Sequence, residues 1–119
     1  MEQKIITLSF SLLNQVKLFH WATKSYAAHK ALGDLHDVLS DLTDNLVECY
    51  IGSAGRQPLS LFEVTTSSHT DLKQVVPFIK DYTSIIRKMR GEIKASELQN
   101  IVDEIISSLD KTLYLLNLN

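Results

Sequence analysis

The chain has 119 residues, 45% of them hydrophobic and 22% charged, with a formal net charge of −2. That length allows one domain spanning residues 1–119 and makes two unexpected. The near-balanced charge leaves no electrostatic footprint for nucleic acid, and no apolar run approaches the roughly 20 residues that a membrane span needs. A single cysteine excludes an internal disulfide framework and fits a reducing compartment. With only four glycines and two prolines the chain lacks the breaks of a turn-rich β-sandwich. Met1-Glu2-Gln3-Lys4 does not open a signal peptide, so an intracellular, cytoplasmic protein is expected.

The apolar residues recur at helical spacing. Ile5, Leu8, Leu12, Val16 and Phe19 predict a first helix over about residues 3–23. Lys24-Ser25 is a tight break, with Ser25 as N-cap of the second helix. Leu32, Leu35, Leu39, Leu42, Leu46 and Cys49 form the cleanest stripe in the chain, predicting a helix from 26 to 51 that stops at Gly52. Residues 52–70 carry loop chemistry, while Leu59, Leu61 and Phe62 are expected to pack down, with room for one helical turn. The third stripe, from Leu72 to Met89, contains Pro77, which predicts a kink or a helix start there, and Gly91 is its expected end. Ser96-Glu97-Leu98-Gln99 has the form of a capping box before a fourth helix that runs to Leu116.

Four amphipathic helices predict an all-α four-helix bundle. The first and last pairs have short links and form antiparallel hairpins. The middle link, about 18 residues, reaches roughly 60 Å when extended, against roughly 38 Å for a 25-residue helix. It can cross the whole bundle, and idle loops of that length are uncommon. A ferritin-like arrangement with one long crossover between the second and third helices is therefore expected, with a simple up-down bundle and an idle long loop as the alternative.

The chemistry gathers on the first two helices. His20, His29 and His36 fall close together, and Asp34, Asp37, Asp41, Asp44 and Glu48 form one acidic stripe on the second helix. Like charges at this spacing repel by a few tenths of a kcal/mol per pair, and no lysine or arginine follows Lys30 on that helix. A facing subunit or a bound cation would relieve the repulsion. Carboxylates with imidazoles suit iron, manganese or zinc. The plainer readings are a solvated acidic face, a core-edge His20 bonded to a carbonyl, Phe19 and Trp21 as packing residues, and Cys49 as a small buried hydrophobe. His69 has no evident partner, and Arg87, Lys88, Arg90 and Lys94 suit the end of a helix. No phosphate loop, nucleophile elbow, His-Glu-x-x-His or Glu-x-x-His occurs, so no catalytic or cofactor-binding residue is assigned.

The segment Phe19-His20-Trp21-Ala22-Thr23-Lys24, followed by His29 and by Asp44-x-x-x-Glu48, resembles the ferroxidase segment of the Dps-like miniferritins. Those proteins are ferritin-like bundles whose iron site lies between two subunits. The resemblance implies His20 and His29 as ligands, completed by Asp44 and Glu48 of the partner subunit, in a homodimer or higher oligomer that binds iron. Asp34, Asp37 and Asp41 are further candidate ligands. The miniferritins carry an acid four residues after the second histidine, where this chain has Gly33. Over its whole length the chain resembles small bacteriophage and large-DNA-virus proteins with the pattern L-x-N-Q-x-K-x-x-H-W-x-T-K-S-Y-x-x-H-K, here Leu12 to Lys30. That second resemblance implies a viral or environmental origin and, of itself, no function. Two functions follow as expectations: a ferroxidase-like metal protein with the site at a dimer interface, or a non-enzymatic dimeric interaction module that keeps the fold without the metal.

Overall fold

A computed structural model describes residues 1–56, 58–66 and 72–118. It contains four helices, α1 (Glu2–Ala22), α2 (Tyr26–Ala54), α3 (Leu72–Glu92) and α4 (Ser96–Leu116), and no strand among the described residues. The stripes read from the sequence face one another. Leu12, Val16 and Phe19 of α1, Leu32 and Leu39 of α2, Ile79 of α3 and Val102 and Leu109 of α4 are all almost fully buried. A leucine buried this completely contributes about 2 kcal/mol. The like-charge pairs along α2 oppose that by a few tenths each, so the leucines decide that α2 is a helix here.

Side-chain contacts fix the topology. α1 packs on α2, α2 on α4 and α3 on α4. Lys4 Nζ lies 2.8 Å from Glu92 Oε2, joining the start of α1 to the end of α3. The buried Tyr82 hydroxyl donates to the Leu8 carbonyl at 2.7 Å. α3 therefore runs antiparallel to α1 and parallel to α2, and the segment between α2 and α3 crosses the length of a molecule of 44 × 29 × 21 Å. The expected four-helix bundle with one crossover is what the chain forms.

Several local expectations are corrected. Gly52 does not stop α2, which continues through it to Ala54 and ends at Gly55, whose φ of 80° needs a glycine. α3 begins five residues before Pro77 and runs through it, so the proline is not its start; lying past the first turn, it forfeits one backbone hydrogen bond. It also continues past Gly91 to Glu92. The capping box does not form: Ala95 is the N-cap of α4, and Gln99 Nε2 donates to the Ile93 carbonyl at 2.7 Å instead. No helical turn occurs among the described residues of the crossover, and Leu61 is fully exposed, although Phe62 rests against Phe10 with ring centroids 6.0 Å apart. Cys49 is exposed, its thiol donating to Asn45 Oδ1. Trp21 is 68% exposed and is no packing residue of the core. His69 lies outside the described residues.

The α1–α2 turn is tightly built. Ser25 Oγ accepts from the Ala28 amide as the N-cap of α2, and Thr23 Oγ1 accepts from the Ser25 amide. Buried threonines on three helices, Thr43, Thr83 and Thr112, each donate to the carbonyl four residues back, so their hydroxyls cost little in the core.

Candidate functional site

His20 ends α1 and His29 begins α2, and the short turn folds one onto the other. Their rings stack with centroids 3.8 Å apart and planes 17° from parallel. The hydrogen bonds are reciprocal: His20 Nδ1 lies 2.7 Å from the His29 carbonyl, and His29 Nδ1 lies 2.8 Å from the His20 carbonyl. A carbonyl only accepts, so both Nδ1 atoms carry protons and donate. One bond also satisfies a carbonyl in the last turn of α1, which has no partner within the helix. The expectation that His20 bonds to a carbonyl at the core edge is met, with His29 as the residue that supplies it.

Gly33 explains how this pair fits. A Cβ at that position would stand 2.8 Å from His20 Cε1 and 3.0 Å from His20 Nδ1. The glycine is therefore floor space for an imidazole. Where the resemblance sets an acid, this chain has made room for its own histidine.

His36 lies one turn further along α2, partly buried. Burial pushes its imidazole below the ordinary value of 6.5; the neighbouring Lys17 charge, and more weakly His20, push the same way against an opposing contribution from Asp37. Its Nδ1 is 3.9 Å from Asp37 Oδ1.

The proposed ligands divide into two groups. His20 and His29 are together at the hairpin end. Asp44 and Glu48 are exposed in the second half of α2 and Asp41 is exposed at its middle, and none of the three has an ion-pair partner among the described residues. Asp34 pairs with Lys30 at 3.3 Å. A ring nitrogen's lone pair lies in its ring plane. Two nearly parallel planes this far apart do not meet within the roughly 2.0–2.1 Å of a nitrogen–metal bond. The two Nε2 atoms thus do not converge on one ion while the stack is closed. Among the described residues no three His, Cys, Asp or Glu side chains are grouped so as to hold a metal. Three members of the basic cluster at the end of α3 are spent on neighbours: Arg90 makes two bonds to the Asp103 carboxylate, Arg87 pairs with Asp110 at 3.6 Å, and Lys94 donates to the Gly91 carbonyl.

A second feature lies on the outer side of the same helix pair. A groove of about 490 Å³ is lined by Ile6, Phe10 and Leu13 of α1, Val47 of α2 and Leu59 of the crossover, with Asp41 and Asp44 on its rim. Phe10 and Leu59 are each nearly half exposed. The sequence carried a signal for it. Ile6, Phe10 and Leu13 form a second apolar stripe on α1 that interleaves with the core stripe, and following only the first stripe hides it. The His20–His29 stack had no comparable signal, because it depends on the angle of the turn.

Together these features define a helical bundle with one crossover, a histidine-locked hairpin and an open apolar groove. The chain belongs to the family of unknown function DUF5856, whose pattern matches residues 20–116. It is also 33% identical over 100 residues to the "Uncharacterized 14.6 kDa protein in mobD-ri intergenic region" of Enterobacteria phage T4, covering 83% of this chain and 74% of that protein. No solved structure matches. Among the described residues no helix is long and apolar enough to cross a membrane.

Proposed function

We propose that the chain is a helical docking module whose working surface is the outer face of α1 and α2, acting in the cell of a phage-infected host. The groove carries this reading. It leaves two large apolar side chains, Phe10 and Leu59, nearly half exposed along one groove, where isolated exposed residues are the norm for a chain that works alone. The phage T4 relative supports the setting. The histidine lock supports the rigidity such a module needs, since it holds α1 and α2 at a fixed angle beneath that face. The test is a photo-reactive phenylalanine analogue placed at Phe10, with Ile85 on α3 as the control position. Cross-links from position 10 and none from position 85 are expected. Equal yields at both positions, or none at either, would sink the reading.

A ferritin-like metal protein is the second reading, favoured by one observation. Both Nδ1 atoms are held by carbonyls, which fixes the tautomer that presents Nε2, as outer hydrogen bonds do for metal-bound histidines. The stack would have to open, and Asp44 and Glu48 of the partner subunit would complete the iron, manganese or zinc site. Melting of metal-free protein with and without Fe(II), Mn(II) and Zn(II) separates the two. Binding to the folded state at a hundredfold excess over Kd stabilises by about 2.7 kcal/mol, a rise of several degrees at this size. The docking reading expects no such rise; a rise that His20→Ala abolishes would establish the metal reading.

A further inference from the structure

The outer α1–α2 face has two unlike ends. One end is a projection: Trp21 and Tyr26 are 68% and 78% exposed, and Lys17 Nζ sits 5.5 Å from the Trp21 ring centroid. Lys24 and Lys30 are exposed beside them. The other end is a recess, the 490 Å³ groove, and its exposed charges are acidic: Asp41, Asp44 and, one turn on, Glu48. Both ends lie on one face. At 100° per residue, Leu13, Ile6, Lys17, Phe10 and Trp21 occupy an arc of about 80° on α1. Val47, Ser40, Asp44 and Tyr26 occupy about 60° on α2.

A surface with an aromatic, basic projection at one end and an apolar, acidic recess at the other is complementary to itself turned end for end. A two-fold axis normal to the face performs that operation, and it makes each contact twice. We infer that the partner docked on this face is a second copy of the chain, antiparallel, with Trp21 of each protomer seated in the groove of the other and Lys24 facing Asp44 across the interface. The inference rests on the docking reading above and names its occupant. It also supplies a cation to Asp44, whose stripe neighbour Asp34 already has Lys30. The available area is sufficient. Two helices side by side, about 20 Å wide and about 30 Å long, present on the order of 600 Å² before side-chain relief, near the roughly 800 Å² per partner of a standard interface.

The experiment is sedimentation equilibrium of the full chain at about 100 µM, with charge-swapped variants. Wild type is expected at twice the chain's mass. Lys24→Glu and Asp44→Lys should each sediment as a monomer, because each sets like charges opposite one another twice. Mixed in equal amounts the two variants should recover the dimer, since both contacts of the mixed pair again join opposite charges. Both positions are exposed, so folding is unaffected, and helical circular dichroism confirms it. Trp21→Ala should weaken association at least tenfold. A monomeric wild type, or a mixture that stays monomeric when both variants are folded, would overturn the dimer. In either case, position-10 cross-links to a different protein would leave the docking face standing with another occupant; their absence would remove the face as well.

Discussion

Gly33 and His20 compete for the same space, and that competition is measurable. Within a helix, Gly→Ala ordinarily gains about 1 kcal/mol of helix propensity. Here the new methyl would meet a ring held by a stack and two hydrogen bonds, and overpacking of that kind costs about 1–3 kcal/mol. Gly33→Ala is therefore expected to lower the urea midpoint in the wild-type background and to raise it in His20→Ala. The same sign in both backgrounds would show that the ring yields freely. His36 makes a second residue-scale prediction. Its folded pKa lies below the ordinary 6.5, so between those two values the unfolded chain holds the proton more tightly. The stability it contributes is present above about 6.5 and is lost as pH falls. Acidification from pH 7 to pH 5 should lower the melting temperature less in His36→Asn than in wild type, provided both start from the same fold. An unchanged drop would assign the acid sensitivity to other groups.

At the scale of the helix, what was legible followed from repetition. A stripe of five or six apolar residues outweighs any single breaker, so each of the four helices could be placed from spacing alone. The ends were less legible because single residues decide them. Gly52 and Gly55 are both plausible stops; only Gly55 adopts a positive φ, and nothing in the spacing distinguishes them. Ser96 and Gln99 stand at capping-box spacing, yet the backbone turns one residue earlier and Gln99 finds a different carbonyl. Pro77 reads as a kink or a helix start, and the start is excluded because α3 is already five residues long there; a proline past the first turn loses a hydrogen bond and crowds a carbonyl, a cost that the burial of Val75 and Ile79 on either side offsets. The candidate site divides the same way. The nearness of His20 and His29 could be read from a short turn between two helices. Their stacking, and the reason for Gly33, could not, since both depend on the crossing angle of α1 and α2.

For the whole molecule, the length of the crossover was the informative quantity. A link too long to be a tight turn, and long enough to span a helix, favours a parallel course for the two helices it joins, and the pairing of Lys4 with Glu92 bears that out. The same architecture has a kinetic consequence. His20 and His29 are 9 residues apart and Arg90 and Asp103 are 13 apart, so each hairpin closes a loop of the kind that forms in roughly 10–100 ns. Tyr82 reaches Leu8 across 74 residues and Lys4 reaches Glu92 across 88, and these bonds wait for the hairpins to meet. Tyr82→Phe removes one long-range hydrogen bond, about 1 kcal/mol. In stopped-flow chevrons it should accelerate unfolding and leave the refolding rate nearly unchanged; slowed refolding would place that contact in the nucleus. On that expectation the hydroxyl of Tyr82 is the last bolt drawn across two hairpins that have already closed, and the first to slide back.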